Sequence, residues 1–363
     1  MRDASTIQPV IVRLNTITAP MIPEEKEILT GLSACVIEAE EPTSNESSSW
    51  LPMADAVIVV GAHLPGSVIH RLRRCKVLSR LGTGLDNIDV DQATLQGILV
   101  TNVPDFATDE VADHTMALLL ASVRQLKAYE TSARSGRRIH LTLPLVHRLS
   151  ALTLGIVGYG SIGKAVAQRA AGFGMRILVH DAYQNVGPSA GVVSVDYDTL
   201  LRESDVVSLH CPLTDETRHM VTLRELELMK SSSILINTAR GHIVRESDLV
   251  HALQSGTIAY AALDVFGEVN VFDQEGFATD HPLWTLPNVL LTPHCSAHSV
   301  EALRNGRIGA ARAVADVLND EWPRNLVNPG VVPWFALPGK QDIDRRSRSS
   351  MRDTVGTCSS DPR

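Results

Sequence analysis

The sequence predicts an α/β protein built from two doubly wound parallel-sheet domains. Three observations predict it. Short runs rich in Val, Ile and Leu alternate with longer helical stretches along the 363 residues, as strands covered on both faces of a parallel sheet do. The alternation comes in two series, separated by a long segment free of Gly and Pro. A Gly-x-Gly-x-x-Gly turn stands near the start of the second series, where a strand passes into a helix. A chain of this length accommodates two ordinary domains.

In the first series, Val10–Leu14, Cys35–Ile37, Ala56–Val60, Val77–Leu81 and Ile98–Thr101 read as strands, and Glu41–Ser49 as a polar loop. Thr108–Ser135 contains neither Gly nor Pro and predicts one long helix with Thr108 as its N-cap. Its apolar positions form a broad face, which implies burial on more than one side. The second series gives strands at Leu154–Val157, Arg176–His180, Asp205–His210, Ile234–Thr238, Ile258–Val265 and Val289–Thr292, with helices such as Ile162–Gly172 and Arg245–Ser255 between them. Val300–Asn319 reads as a final helix. Lys340–Arg363 has almost no large apolar residue and reads as a disordered tail.

Composition narrows the function classes. Hydrophobic residues make up 44% and charged residues 20%, the balance of a globular protein. Lys plus Arg number 33 against 41 Asp plus Glu, for a net charge of −8, and aromatics are 4%. Such a chain has no general attraction for nucleic acid or anionic lipid and few platforms for stacking bases. The cysteines, at 35, 75, 211, 295 and 358, show no CxxC pair or metal-ligand spacing, so no metal is expected and the thiols fit a reducing compartment. No secretory signal is visible at the N-terminus, and the longest apolar run, Met116–Ala121, is too short to span a bilayer. The expectation is a cytoplasmic protein without nucleic-acid or membrane partners.

The glycine turn, Gly158-Tyr-Gly160-Ser-Ile-Gly163, follows a strand and opens a helix, and Asp181 lies 18 residues after Gly163. That context reads as a dinucleotide site. Gly158 permits the tight turn, Gly160 lets the backbone approach a pyrophosphate, and Gly163 lets the helix sit close to the sheet. The helix N-terminus offers unpaired N–H groups and a partial positive charge. Asp181 would accept hydrogen bonds from ribose hydroxyls and repel a 2′-phosphate. Ala182 and Tyr183 supply no compensating cation, so the expected cofactor is NAD rather than NADP.

With these residues in hand, the sequence resembles the D-isomer-specific 2-hydroxyacid dehydrogenases, a family that includes phosphoglycerate dehydrogenases, D-lactate dehydrogenases and the C-terminal-binding corepressor proteins. The tightest likeness is to the phosphoglycerate dehydrogenase-like and corepressor-like branches. The resemblance runs from Val10 to Val332 and is carried by Arg80-LGTGLDNIDV, Val111-ADHTMALLLASVR, the glycine turn, Val207-SLHCPLTDETRH, Ile236-NTARGHIV, Ala261-ALDVF and Asn288-VLLTPH, in family order. It implies a Rossmann NAD domain over residues 102–297 and a flavodoxin-like substrate domain from 1–101 plus 298–335. A cleft between the two and a tail at 336–363 complete the layout. It also implies a homodimer that buries the long helix 108–135.

Reduction of a 2-oxo acid needs a cation for the carboxylate and an acid for the carbonyl oxygen. Arg240, in Thr238-Ala-Arg-Gly241, offers a planar fork that can hold a carboxylate bidentately. His294, in Thr292-Pro-His-Cys, titrates near neutral pH and can donate in reduction and accept in oxidation. The family pairs that His with a Glu that orients the ring and favours its protonated form. Here the sequence departs from the pattern: the family position, five residues after Asp264, is Val269, and Glu268 stands one residue early. A one-residue loop deletion would put Glu268 in place. If Val269 holds the position, the His loses its partner.

Further roles follow from the resemblance. Asp264 would hold the nicotinamide carboxamide. Backbone groups of Thr238, Ala239, Cys211 and Pro212 would line the cofactor, and the N–H groups of Ser161 and Ile162 would meet the pyrophosphate. Thr83 and Gly84 would present N–H groups to the substrate carboxylate opposite Arg240. Cys211 and Cys295 border the site and read as small apolar packing rather than nucleophiles. Trp284 reads equally as a pocket wall or as core, Asn270 and Gln274 as minor polar contacts, and the basic segment 137–149 as a second anion contact or a solvated linker.

The leading expectation is NAD-dependent interconversion of a 2-oxo acid and a D-2-hydroxy acid. A corepressor-like NAD(H)-responsive binding protein is the alternative from another class. A dehydrogenase for an aldehyde or a phosphorus oxyacid is the alternative among enzymes, motivated by the atypical loop after Glu268.

Overall fold

The computed structural model describes residues 8–15, 19–42, 47–136, 146–184, 186–187, 191–267, 269 and 281–338. The chain forms two compact units, one of residues up to 106 together with those from 303 on, the other of residues 107–302. Residues 137–145 and 339–363, in the basic segment and the expected tail, lie outside the described residues, as do Glu268, Asn270 and Gln274.

In the first unit, β1 (Val10–Leu14), α1 (Pro23–Gly31), β2 (Cys35–Ala39), α2 (Ser47–Trp50), β3 (Ala56–Val59), α3 (Gly66–Ile69), β4 (Val77–Arg80), α4 (Val90–Leu95) and β5 (Leu99–Thr101) follow in order. The strands form one parallel sheet in the order β2-β1-β3-β4-β5. Successive side chains of a strand point to opposite faces, and both faces here are apolar. Val12, Leu14, Val57 and Val59 enter one core cluster. Ile11, Ala56 and Ile58 enter the other, where Ala310, Ala311 and Val314 of the last helix meet them.

The second unit holds α5 (Thr108–Val123), α6 (Leu126–Arg134), β6 (Thr153–Val157), α7 (Ser161–Gly172), β7 (Arg176–His180), β8 (Val192–Ser194), α8 (Tyr197–Glu203), β9 (Val206–Leu209), α9 (Leu223–Leu228), β10 (Ile234–Asn237), α10 (Glu246–Ser255), β11 (Tyr260–Leu263), α11 (Pro282–Thr285) and β12 (Val289–Leu291), with α12 (Val300–Leu318) continuing from it. Its parallel sheet has the order β12-β11-β10-β9-β6-β7-β8. The order reverses between β6 and β9, and such a switch point opens a crevice beyond the carboxyl ends of the strands. The glycine turn leaves β6 at that point.

The single helix expected over 108–135 is in fact two, α5 and α6. Gln125 between them takes a left-handed conformation, φ +53°, and its side-chain amide donates to Ser122 O at 3.0 Å. Its backbone N–H donates to the same oxygen at 3.1 Å, so Gln125 occupies the left-handed position usually held by Gly at a helix end, and no breaker residue announces it. Ala107, not Thr108, is the N-cap. The broad apolar face of α5, with Val111, Ala112, Met116 and Leu119 buried, is covered inside this unit by α7, β10 and β11. The edge strand β8 was not expected: it is short, and its side chains are half-buried or exposed. Among the described residues no helix is long and apolar enough to cross a membrane.

Candidate active site

The glycine turn is built by close backbone approach. Gly158 has φ +93°, and a Cβ on it would lie 2.7 Å from Cys211 N and from His210 C. These two atoms follow β9, the strand on the other side of the switch point. A Cβ on Gly163 would lie 2.2 Å from Gly158 O, whereas one on Gly160 would meet open space. The turn is therefore closed where it packs and open beside Gly160, the shape a pyrophosphate requires. No side chain caps α7, whose first residue is Ser161, with the half-buried Ile162 behind it. We expect Gly158→Ala to lower folding stability by about 3 kcal/mol, from left-handed strain plus a clash with backbone on β9. Thermal unfolding with an NADH titration checks it; a wild-type melting temperature would refute the reading.

Asp181 stands just past β7. Its Oδ2 accepts from Tyr159 N at 2.8 Å, and its Oδ1 accepts from Tyr183 N and Gln184 N, both at 2.9 Å. Burial tends to raise its pKa, but these three donors prevail and hold the carboxyl below its ordinary value. The same carboxylate thus ties the glycine turn to the loop after β7. Asp181 lines an open pocket of about 470 Å³ with His180, Tyr183, Gln184, Val195 and Asp196. No lysine or arginine lines that pocket, which suits a ribose with a free 2′-hydroxyl.

Three consecutive neighbouring strands deliver the residues expected to do chemistry. Arg240 follows β10, Asp264 follows β11 and His294 follows β12, all on the carboxyl edge that bears the glycine turn. The loop 238–240 is braced by Asn237, which is buried. Its Oδ1 accepts from Ala239 N at 3.0 Å and its Nδ2 donates to Arg240 O at 2.9 Å. Arg240 Nη1 donates to Ala239 O at 2.7 Å. Thr238 is buried, with its hydroxyl 2.9 Å from that of Thr115 on α5.

Asp264 is fully buried and acts as a hub. Oδ1 accepts from Thr292 Oγ1 at 2.6 Å and Cys295 N at 3.0 Å, and Oδ2 accepts from Ser296 N at 2.9 Å. His294 N donates to Asp264 O at 2.8 Å. Together these bonds hold His294 in the left-handed region, φ +53°, a conformation that costs a non-glycine residue about 1 kcal/mol and clusters at functional sites. The carboxamide role expected of Asp264 would draw on the second lone pair of Oδ2. His114 Nε2, the Asp264 carboxylate and the Cys295 thiol also lie within 4.8 Å of one another; the N–H and O–H donors just named already occupy that carboxylate.

Burial, joined by the charge of Asp264, raises the Cys295 thiol, and burial pushes Cys211 up to about 11. Both thiols are protonated at neutral pH, the state of packing residues rather than nucleophiles. Burial lowers His210 to about 4, and its Nε2 lies 2.8 Å from Ser208 Oγ. Pro212 O accepts from Thr217 Oγ1 at 2.6 Å. Trp284 is half-buried and packs on Phe266, ring centroids 4.8 Å apart. Val269 is half-buried. Ahead of it, Gly267 N donates to Oε1 of the buried Glu246, whose Oε2 lies 3.5 Å from His281 Nε2.

In the first unit, Thr83 is exposed and Gly84 half-buried. The Thr83 hydroxyl donates to Pro104 O at 2.8 Å, and Thr83 O accepts from Asn102 Nδ2 at 2.9 Å. Asn237, Thr292, His114 and Glu246 went unnoticed in the sequence. Asn237, Thr292 and His114 lie inside recognised motifs, but spacing does not reveal their work. Thr292, His114 and Glu246 bond segments distant in sequence, and Asn237 folds its amide back onto the loop that follows it.

A model of the D-isomer specific 2-hydroxyacid dehydrogenase NAD binding domain matches residues 116–296. The chain is 41% identical over 290 residues to a glyoxylate reductase of Thermococcus litoralis, covering 76% of this chain and 84% of the relative. It is 37% identical over 313 residues to a D-3-phosphoglycerate dehydrogenase of Methanocaldococcus jannaschii, covering 85% of this chain and 56% of that relative. Among solved structures, a D-lactate dehydrogenase of Aquifex aeolicus complexed with NAD and lactic acid superposes with a TM-score of 0.78 at 31% identity, covering 87% of this chain and 98% of the other.

Proposed function

This chain belongs to the D-isomer-specific 2-hydroxyacid dehydrogenase family, and from that premise we propose that it reduces a small 2-oxo acid with NADH to the 2-hydroxy acid, glyoxylate foremost to the achiral glycolate and longer 2-oxo acids to the D isomer. The observation that carries the reading is the placement of Arg240, Asp264 and His294 at the carboxyl ends of three adjacent strands, on the edge that holds the glycine turn. Glyoxylate is named first because the relatives matched over most of their length are called glyoxylate reductases.

The residues present fit NAD. The turn from Gly158 to Gly163 is open beside Gly160, and Asp181 supplies a carboxylate where a 2′-phosphate would be repelled. Ser161 and Ile162 would give N–H groups to the pyrophosphate, and Cys211, Pro212, Thr238 and Ala239 would line the cofactor with backbone groups. When bound, the nicotinamide supplies the hydride. Arg240 binds the substrate carboxylate and polarises the carbonyl. Thr83 and Gly84 add N–H groups to the same carboxylate. His294 gives a proton to the carbonyl oxygen as it gains charge, and Glu268 orients the imidazole and favours its protonated form.

The test is NADH oxidation against glyoxylate, pyruvate, hydroxypyruvate and a phosphorylated 2-oxo acid. Turnover of glyoxylate is expected. NADH binding without turnover on any of them would overturn the enzyme reading and favour an NADH-responsive binding protein. For Glu268, the Glu268→Gln variant should lose about 10²-fold in kcat, with its alkaline limb moved to lower pH. Loss of the carboxylate lowers the imidazole pKa, so the protonated acid disappears earlier as pH rises. An unchanged profile would pass the role to another carboxylate of the segment, where the chain has Asp273, Glu275 and Asp280.

A further inference from the structure

The motif Val111-ADHTMALLL contains three consecutive polar residues, Asp113, His114 and Thr115. Asp113 is exposed and pairs with Arg169, and the reaction assigned above uses neither of the other two. His114 Nε2 lies 3.0 Å from Thr292 Oγ1, at the root of the loop that carries His294. Thr115 Oγ1 lies 2.9 Å from Thr238 Oγ1, at the root of the loop that carries Arg240. Thr115 is fully buried and His114 half-buried.

The protons in both bonds can be placed. Thr292 has one hydroxyl proton, and it goes to Asp264 Oδ1 at 2.6 Å. Thr292 Oγ1 can therefore only accept from His114, so Nε2 of His114 carries a proton. Thr115 has one hydroxyl proton, and it goes to Val111 O at 2.7 Å, within the helix. Thr115 Oγ1 therefore accepts, and Thr238 donates. Each bond has a fixed direction, and each locks the rotor of a threonine that begins a catalytic loop.

We propose that His114 and Thr115 are positioning residues: one turn of α5 sets the loops of His294 and Arg240 against each other across Asp264. The inference rests on the dehydrogenase reading for its effect on rate, but not for its effect on the loops. A hydroxyl held from both sides cannot rotate away from Asp264, and Asp264 in turn holds the N–H groups of Cys295 and Ser296. Misplacing a reacting group by a fraction of an ångström lowers kcat more than it weakens binding.

The experiment pairs local amide exchange with kinetics in His114→Leu, His114→Gln, Thr115→Val and Thr115→Ser. In His114→Leu, amides of residues 292–298 should exchange at least about three-fold faster while those of 237–241 stay as in wild type; Thr115→Val should show the reverse. Each should lower kcat about 10-fold with KM for the 2-oxo acid and Kd for NADH within about two-fold. His114→Gln keeps an N–H donor of similar reach and Thr115→Ser keeps the acceptor, so both should restore exchange and kcat. Wild-type exchange in His114→Leu and Thr115→Val, or failure of the conservative variants to rescue, would overturn the proposal. A wild-type protein without turnover would sink the dehydrogenase reading, and the exchange comparison would still decide the positioning role.

Discussion

His294→Asn lowers kcat for 2-oxo acid reduction by about 10³-fold and leaves the Kd for NADH within about two-fold; that is the expected result. Asn is chosen because it tolerates the left-handed region about as well as His, so the φ of +53° at this position survives and the loop keeps its bonds to Asp264. What is lost is the proton. An amide side chain cannot deliver one to a carbonyl oxygen that gains charge, whereas an imidazolium can. The pH dependence carries the sign. Reduction needs protonated His294, so wild-type kcat/KM falls as pH rises through its titration. Oxidation needs the neutral ring, so the reverse reaction falls as pH drops. Both limbs should vanish in the variant. Steady-state kinetics in both directions, with a thermal melt to confirm folding, make the measurement. A loss below about 10-fold, or an intact alkaline limb, would show that another group is the acid.

Much of this site was legible in the sequence because it sits where chain direction changes. Strand ends at a doubly wound sheet's carboxyl edge carry turn residues and polar side chains, and these interrupt apolar runs visibly. The runs Val10–Leu14 and Arg176–His180 coincide with β1 and β7: the interior of β7 is wholly apolar, and β1 is apolar except at Arg13, which is buried against Glu25. Gly158 and Asp181 were readable for the same reason: one needs a backbone no other residue adopts, and the other closes a strand. The break at Gln125 was not readable, because a non-glycine residue takes the left-handed position there, its backbone N–H and its side-chain amide both donating to Ser122 O. The bracing by Asn237, Thr292 and His114 was not readable either. Thr292 and His114 join segments 178 residues apart that only the fold brings together, whereas Asn237 closes its own loop with an amide that reads in the sequence as one more polar residue at a strand end. Spacing reports local periodicity; it carries no trace of a hydroxyl rotor fixed from two sides.

Arg240→Ala is expected to lower kcat/KM for the 2-oxo acid by about 10³-fold, or about 4 kcal/mol of transition-state stabilisation. The guanidinium is asked to do two things at once. It holds the substrate carboxylate, which is bound equally before and during the reaction, and it faces the carbonyl oxygen, whose charge exists only as the hydride arrives. The first appears in KM and the second in kcat, so both should change. Arg240→Lys separates them. An ammonium keeps the charge but not the planar fork, so the lysine variant should recover about ten-fold of the loss, chiefly in kcat, while KM stays high. The loop itself should survive either change, because Asn237 braces it through backbone groups, Ala239 N and Arg240 O. NADH binding within about two-fold of wild type and an unchanged melting temperature would confirm that. If the alanine variant keeps KM and loses only kcat, the carboxylate is held elsewhere, and the N–H groups of Thr83 and Gly84 become the binding site to test. If both parameters hold within about five-fold, the substrate has no carboxylate at this position, and the aldehyde reading gains over the 2-oxo acid.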